Sequence, residues 1–362
     1  MIMPPLIFLL SIFFAPIRVI AFKSAGCGGG GRMPKLNHTF GSSLLFEGYN
    51  RTFNLFFPGT YDGEEGLPLV VGIHGWGGTS LEDACDSGLT AVAMDTQNFA
   101  TVHLQGMQDY PSGNPSNWGA WHFNGSNSNG GVSCEVNAKG GGPKYCYDSN
   151  TNCTACDWTD GVDDVAFVDA LLDSLEDEYC IDTSRVYVSG QSNGGMMTYQ
   201  LGASLSHRLA AIAPISGSMH WQHAVAPLNP IPVLAVTGVL DGTVPGNGTD
   251  DGKTTDGTWW YYSMDKLAEL WSQGQQCDSI SAFYPTSFDG IDDLWCKSVC
   301  SNIDHVLCSW SGAHNYFTGV AGEYIYECTP EILDETNYRN GQLVWEFFSK
   351  HTRESTGVEQ LF

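Results

Sequence analysis

Short, mostly apolar runs recur along the chain and constrain its fold more than any other feature. They are FNLFF (53–57), LVVGI (69–73), ATVHL (100–104), RVYVS (185–189), LAAIAPI (209–215), VLAVTG (233–238) and HVLCSW (305–310). Most of them are continuous rather than alternating in polarity, which is typical of strands that are covered on both faces. Such strands are expected to lie side by side in the interior of one sheet.

Helical patterns occupy segments between these runs. Five residues fall on one face of a predicted helix at intervals of 3, 4, 3 and 4: Val165, Val168, Leu172, Leu175 and Tyr179. Residues 263–274 and 338–350 have further amphipathic patterns. Strands that alternate with helices predict an α/β fold, with a mostly parallel sheet flanked by helices.

The N-terminal segment has the features of a secretion signal. PPLIFLLSIFFAPI is apolar, but Pro16 interrupts it and Arg18 closes it, so it is short for a membrane-spanning helix. No lysine or arginine precedes the apolar run, and an uncleaved anchor therefore stays an alternative. We expect a signal peptide over residues 1–21 and a single domain over residues 22–362.

Charge, cysteines and sequons indicate the compartment. With 40 acidic and 15 basic residues the net charge is −25. A field of this sign repels nucleic-acid backbones and anionic lipids, so we expect no nucleic-acid and no membrane partner. All twelve cysteines follow the predicted signal, and N-x-Ser/Thr sequons begin at Asn37, Asn50, Asn124, Asn152 and Asn247. These features predict a secreted, extracellular glycoprotein with disulfide bonds.

Residues 107–159 interrupt the alternation with a loop-like insertion rich in Gly, Asn and Ser. The insertion contains Cys134, Cys146, Cys153 and Cys156. The Cys153-x-x-Cys156 spacing is compatible with half of a zinc site, but secreted cysteine clusters are usually disulfides and the other pair lacks the close spacing of a zinc knuckle. We therefore expect disulfide bonds here, and neither a metal nor another cofactor.

GQSNGGMMTY (190–199) begins where the run RVYVS ends and a helical pattern starts. The spacing Gly190-x-Ser192-x-Gly194 fits a nucleophile elbow, in which a serine lies on a sharp strand-to-helix turn. An ordinary glycine turn has the same five-residue pattern. Assigning Ser192 as a nucleophile therefore depends on finding its partners.

A serine hydroxyl needs a base, and an acid that orients the base. In chains with this elbow, the serine, the acid and the histidine follow each other in that order, each after a strand. Asp241 lies three residues past the run that ends at 238, and His314 lies four residues past the run that ends at 310. We predict Ser192 as nucleophile, Asp241 as acid and His314 as base.

The charge that develops on a substrate oxygen needs backbone N–H donors. One donor is expected from Asn193, directly after the nucleophile. The second is expected from HGWGG (74–78), where Trp76 is the first candidate and Gly75 or Gly77 the next. His74 is expected to support this loop from below.

Aromatic residues indicate the substrate surface. Trp118 and Trp121 lie in the insertion, and Trp221 follows a predicted strand. We predict that these three side chains bind substrate, since ligands of open α/β sheets bind beyond the carboxyl ends of the strands. The run at 259–262 either shares this role or packs at the start of a helix against the sheet.

Several segments resemble the secreted feruloyl esterase and polyhydroxybutyrate depolymerase group of α/β-hydrolases, which is similar to carbohydrate esterase family 1. They are HGWGG, DGVDDVAFVDALLDSLEDEYCIDTSRVYVSGQSNGGMMTYQLG, GVLDGTVP and ELWSQGQQC. The resemblance spans most of the chain and is strongest from Asp160 to Gly202. It implies a serine esterase with the three residues named above. Two departures are the size of the cysteine-rich insertion and NYF after the histidine, where many relatives have Trp-Pro.

These observations predict a secreted serine carboxylic-ester hydrolase of the α/β-hydrolase fold that acts through an acyl-enzyme. Its expected partner is an ester substrate, either a hydroxycinnamoylated saccharide or a polyester. Feruloyl esterase activity ranks ahead of polyhydroxybutyrate depolymerase activity because no separate polymer-binding domain is visible. A secreted serine peptidase and a catalytically silent binding protein stay as alternatives.

Overall fold

A computed structural model describes residues 22–28, 31–109, 118–126, 134, 162–275, 277, 285–286, 293–317 and 335–353. Its strands are β1 (Phe40–Phe46), β2 (Tyr49–Phe56), β3 (Leu67–Ile73), β4 (Ala100–Leu104), β5 (Met107–Asp109), β6 (Trp118–Ala120), β7 (Ile181–Gln191), β8 (Ala211–Ile215), β9 (Val233–Gly238), β10 (Lys253–Thr255), β11 (Trp260–Tyr262), β12 (Pro285–Thr286), β13 (Leu294–Ser298) and β14 (His305–Trp310). Its helices are α1 (Ser80–Asp86), α2 (Leu89–Thr96), α3 (Asp164–Glu178), α4 (Asn193–Ser204), α5 (Met264–Gly274) and α6 (Glu335–Phe348).

The main sheet has the strand order β1-β2-β4-β3-β7-β8-β9-β14-β13-β12. Its centre, from β4 to β14, is parallel throughout, while β1, β2, β13 and β12 pair antiparallel at the two ends. Two small hairpins, β5-β6 and β10-β11, stand outside it. Because the central strands run in one direction, their carboxyl ends meet along a single edge.

All seven predicted apolar runs lie in or overlap strands of this sheet. Successive residues of the central strands face opposite sides: Leu69, Val71 and Ile73 belong to one core cluster, and Val70 belongs to the other. Helices α3, α4 and α5 contribute to the first cluster, and α2 and α6 to the second. Burial on both faces explains why these strands read as continuous apolar runs, and it confirms the predicted mostly parallel sheet flanked by helices.

The edge strand β1 was not predicted from the sequence. Its residues alternate between half-buried and exposed, because one face of this antiparallel strand packs on the core and the other meets solvent. The run at 259–262 also differs from the helix-start interpretation, since β11 pairs with β10 and helix α5 begins only at Met264.

Among the described residues, disulfides link Cys27 to Cys180, Cys277 to Cys300, and Cys296 to Cys308. Cys85 and Cys134 are also disulfide-bonded. The residues outside the described part of the chain include 1–21, Cys146, Asn152, Cys153 and Cys156. Of the predicted insertion, the structure describes strand β5, residues 118–126 and Cys134.

In the described part of the chain, no helix is long and apolar enough to cross a membrane. Within the same residues, no group of three or more His, Cys, Asp or Glu side chains is placed to hold a metal ion.

Candidate active site

Ser192 stands alone between β7, which ends at Gln191, and α4, which begins at Asn193. Its backbone has φ 58° and ψ −120°, a conformation that residues with a side chain rarely adopt. The N–H of Ser192 donates to the carbonyl of Ile215 on the neighbouring β8, at 2.9 Å. The serine is therefore held on a sharp turn at the carboxyl edge of the sheet, as an elbow requires.

Glycines at both ends of the elbow permit this turn. A β-carbon built at Gly194 would lie 2.1 Å from the carbonyl oxygen of Ile73, and one at Gly190 would lie 2.6 Å from the carbonyl oxygen of Gly194. Both distances are far below van der Waals contact. The Gly-x-Ser-x-Gly spacing is thus a packing requirement of this turn.

The structure brings Ser192, His314 and Asp241 into one hydrogen-bonded chain. His314 Nε2 lies 2.8 Å from Ser192 Oγ, and His314 Nδ1 lies 2.8 Å from Asp241 Oδ2. The Asp241 side chain is fully buried, while 17% of the His314 side chain is exposed. A buried carboxylate oriented towards one ring nitrogen leaves the other nitrogen as acceptor for the serine hydroxyl.

Backbone hydrogen bonds fix the Asp241 carboxylate. Its Oδ1 accepts from the N–H groups of Thr243, at 2.9 Å, and Val244, at 2.8 Å. This leaves Oδ2 directed at the imidazole.

The loops that carry Asp241 and His314 are tied to each other. The N–H of Leu240 donates to the carbonyl of Gly312 at 2.9 Å, next to the contact between Val239 N–H and the carbonyl of Trp310 at 2.8 Å. A β-carbon at Gly238 would lie 2.2 Å from the Gly312 oxygen, so the close approach requires glycine. Sequence reasoning missed this contact, although the glycine at the strand end is a signal for it.

The loop at 74–78 lies directly beside the elbow. A β-carbon on Gly75 would lie 3.3 Å from Cβ of Ser192, and Trp76 is half-buried. The N–H of Gly77 donates to the carbonyl of Gly119 at 2.8 Å, which commits that amide to the fold. The N–H of Asn193 lies in the first turn of α4, where amides have no partner inside the helix.

Trp121 lies in a different place from the one that we predicted. The ring is 0% exposed and its Nε1 donates to the carbonyl of His74 at 2.9 Å, so it packs in the core beneath the loop and offers no surface to a substrate. Its backbone N–H donates to Oδ1 of Asn193 at 2.8 Å, and its carbonyl accepts from Nδ2 of Asn193 at 3.4 Å. Trp121 therefore supports the oxyanion candidates instead of lining the cleft.

His74 is buried below the same loop. Its Nε2 accepts from the N–H of Gly106 at 2.9 Å, and its Nδ1 lies 2.6 Å from the carbonyl of Gly75. Burial lowers the pKa of His74. A neutral ring bonded on both nitrogens matches the supporting role predicted for it.

The other two aromatic candidates stay predictions. Trp221 is half-buried in the loop after β8. Its ring lies 4.7 Å from that of Tyr262, and its backbone N–H donates to the carbonyl of Trp260. The side chain of Trp118 lies outside the described part of the structure.

Gln191 is a site residue that sequence reasoning missed. Its Nε2 donates to the carbonyl of His314 at 3.4 Å, and its Oε1 would lie 2.5 Å from a β-carbon on Gly75. The side chain thus fills the space between the loop that carries His314 and the 74–78 loop. Its position directly before Ser192, the predicted nucleophile, was the available signal.

The fold and the hydrogen-bonded Ser-His-Asp chain are those of the α/β-hydrolase class. An acetyl xylan esterase from Aspergillus awamori, a solved structure, matches with a TM-score of 0.53 and 12% identity, covering 86% of this chain and 99% of that one. At this identity the likeness concerns the fold, and it confirms the predicted α/β-hydrolase fold.

Sequence comparisons give the nearer relationships. Over 81 residues, 22% of this chain, the sequence is 40% identical to a bifunctional acetylxylan esterase/xylanase of Neocallimastix patriciarum. Over 86 residues, 24% of this chain, it is 31% identical to feruloyl esterase C of Emericella nidulans. The chain spans 12% and 32% of the lengths of these two relatives. No protein-family model matches it. The predicted resemblance to feruloyl esterases of this fold is confirmed.

Proposed function

We propose that the protein is a secreted carboxylic-ester hydrolase that forms an acyl-enzyme on Ser192. The observation that carries the proposal is the chain from Ser192 Oγ through His314 to Asp241, with both hydrogen bonds at 2.8 Å. Similarity to proteins named acetylxylan esterase and feruloyl esterase supports ester hydrolysis.

In the proposed reaction, Ser192 Oγ attacks the ester carbonyl while His314 Nε2 takes the hydroxyl proton. Asp241 holds the Nδ1–H tautomer and stabilises the imidazolium that forms. The imidazolium then protonates the departing alcohol oxygen, leaving an acyl group on the serine. Water, deprotonated by the same imidazole, hydrolyses this acyl-enzyme and restores Ser192.

The tetrahedral intermediates place negative charge on the former carbonyl oxygen. We assign its stabilisation to the backbone N–H groups of Asn193 and of the 74–78 loop, with Trp76 ahead of Gly75. The closeness of Gly75 to Ser192 and the fixed Asn193 side chain support this assignment. Rigid donors stabilise the developing charge without reorganisation during the reaction.

The proposed substrates are hydroxycinnamoyl esters of neutral saccharides. The resemblance to feruloyl esterases and the exposed part of Trp221 support an aromatic or sugar-binding surface, and Trp118 stays a candidate. The net charge of −25 disfavours polyanionic glycans.

We also propose that residues 1–21 are a removed signal and that 22–362 form one catalytic domain. Disulfide bonds and five sequons support passage through an oxidising secretory compartment.

The test is hydrolysis of p-nitrophenyl acetate by the wild type, by Ser192→Ala and by Ser43→Ala, a control at an exposed serine of β1. We expect Ser192→Ala to lose at least about 10³-fold in kcat/KM and the control to lose nothing. A fluorophosphonate should label the wild type and leave Ser192→Ala unlabelled. Near-full activity of Ser192→Ala would contradict the mechanism; labelling without ester hydrolysis would favour a peptidase; no labelling would favour a binding protein.

Initial rates on methyl ferulate, acetylated xylan and emulsified polyhydroxybutyrate then test the substrate class. We expect the ferulate ester to be cleaved fastest. Clearing of the emulsion without ferulate release would assign a polyester depolymerase, and acetate release alone would assign an acetyl esterase.

A further inference from the structure

Tyr316 lies two residues beyond His314, in the same loop. Its phenol donates a hydrogen bond to Oδ1 of Asp83 on helix α1, 233 residues away in the sequence. Burial, together with the negative charge of Asp83, raises the pKa of Tyr316 well above its ordinary value. The phenol therefore stays protonated and keeps its role as donor.

Asp83 is itself fixed from the opposite side. Its Oδ2 lies 2.6 Å from Nδ1 of His103 on β4, and Nε2 of that ring lies 2.9 Å from Oγ1 of Thr90 on α2. Asp83 is 2% exposed and His103 is 1% exposed. Charge-assisted bonds in such dry surroundings are strong and directional, so the carboxylate is a rigid acceptor for Tyr316.

The central strand β3 makes room for this contact. A β-carbon on Gly72 would lie 2.2 Å from Nδ1 of His103 and 2.3 Å from Oδ2 of Asp83. A glycine inside a buried strand weakens it unless close approach requires the glycine. At this position, the requirement is the Asp83–His103 pair.

The same helix ends the loop that carries the oxyanion candidates. Thr79 and Glu82 form a reciprocal capping box at the start of α1, in which Thr79 N–H donates to Glu82 Oε2 at 2.8 Å and Glu82 N–H donates to Thr79 Oγ1 at 3.2 Å. Asp83 follows directly. Through Tyr316, the loop that carries His314 is attached to helix α1, which directly follows the 74–78 loop.

We propose that Tyr316 and Asp83 are positioning residues that hold the His314 loop so that the imidazole stays within hydrogen-bond reach of Ser192. The inference rests on the proposed esterase function. The contact between Leu240 and Gly312 secures this loop before the histidine, and Tyr316 secures it after the histidine. Misplacement of a catalytic group by about 1 Å can lower the rate of reaction on the order of 10²-fold.

The experiment compares Tyr316→Phe with Tyr338→Phe in the full chain. Tyr338 on α6 is a matched control, because its phenol also donates to an aspartate, Asp95 on α2, at 2.7 Å, and neither residue belongs to the loop that carries His314. Kinetics on p-nitrophenyl acetate are measured for both variants, and for Tyr316→Phe in a His314→Ala background. Thermal unfolding of each variant reports the folded fraction.

We expect Tyr316→Phe to lower kcat about tenfold with KM unchanged, less than the ~10²-fold cost of a full 1 Å displacement, because the Leu240–Gly312 contact still holds the loop before the histidine. Tyr338→Phe should match the wild type. In the His314→Ala background, Tyr316→Phe should have no further effect, since it acts through the imidazole. Unchanged kcat, or an equal loss in both backgrounds, would overturn the inference.

Asp83 variants give a second readout that does not depend on Tyr316→Phe folding. Asp83→Asn keeps an acceptor for the phenol, and we expect a smaller loss of kcat than with Asp83→Ala, at equal folded fraction. Equal losses for the two variants would contradict positioning by the hydrogen bond. Wild-type hydrolysis that does not depend on Ser192 would instead refute the proposed function, which separates the two failures.

Discussion

Asn193 and Trp121 are joined by a two-way contact between a side-chain amide and a backbone peptide. The Trp121 N–H donates to Asn193 Oδ1 at 2.8 Å, and Asn193 Nδ2 donates back to the Trp121 carbonyl at 3.4 Å. Both residues are completely buried. The side chain of Asn193 thus supports the insertion through Trp121, while its backbone N–H is the proposed oxyanion donor.

Asn193→Ala should therefore lower both stability and kcat. The substitution leaves a buried N–H and a buried carbonyl of Trp121 without this partner, which costs about 1–3 kcal/mol. Urea unfolding measures the first effect and p-nitrophenyl acetate kinetics measure the second. Asn229→Ala is the control, because Asn229 is half-buried and its Nδ2 makes only a 3.4 Å contact with Ser206. Equal effects of the two substitutions would contradict the bracing role.

Gly194→Ala should destabilise the fold by more than about 3 kcal/mol or prevent folding, as overpacking against rigid backbone does. The added methyl would meet the carbonyls of Ile73 and His74 at 2.1 and 2.5 Å. Gly41→Ala on β1 is the control, since its methyl would meet only Asn54 Oδ1, at 3.7 Å. Circular dichroism and urea unfolding of both variants provide the measurement. A Gly194→Ala protein as stable as the control would show that the elbow can relax.

Asp86 should make stability fall as the pH rises towards neutrality. Burial, together with the charges of Asp83 and Glu82, raises the pKa of Asp86 from 3.8 to about 7. Between these values the folded protein binds more protons than the unfolded chain, so this contribution to the free energy of unfolding decreases with increasing pH.

Asp86→Asn removes this titration. We expect it to exceed the wild type in stability at about pH 8, by at most about 4 kcal/mol, and to converge with it near pH 4. Urea unfolding across this range provides the measurement, with Asp250→Asn at an exposed site as control. A constant difference at all pH values would rule out titration of Asp86 as the cause.

Loss of the Cys27–Cys180 disulfide should destabilise the protein more than loss of Cys296–Cys308. Their sequence separations are 153 and 12 residues. The chain-entropy model gives roughly 5 kcal/mol for the longer loop and roughly 3 kcal/mol for the shorter one. Paired Cys→Ser variants and urea unfolding test the order. The reverse order would indicate that local packing outweighs loop entropy.

The central sheet was predictable from the sequence, because a strand covered on both faces needs apolar residues at successive positions. VLAVTG and HVLCSW coincide with β9 and β14, and the residues after them include Asp241 and His314. The edge strand β1 was not predicted, since its FGSSLLF sequence reflects burial on one side only. A strand can be predicted from its residues when burial determines which side chains it has. It is harder to predict when the strand is held mainly by pairing with a neighbouring strand.

The sequence by itself determined the strand-helix alternation, the elbow at Ser192 and the chain order of Ser192, Asp241 and His314. These features depend on local periodicity and on the backbone freedom of glycine. Only the tertiary structure decided that Trp121 is buried beneath the 74–78 loop and that Tyr316 reaches Asp83. These contacts join residues far apart in the chain, and the packing of whole elements sets their distances. No local spacing in the sequence records that packing.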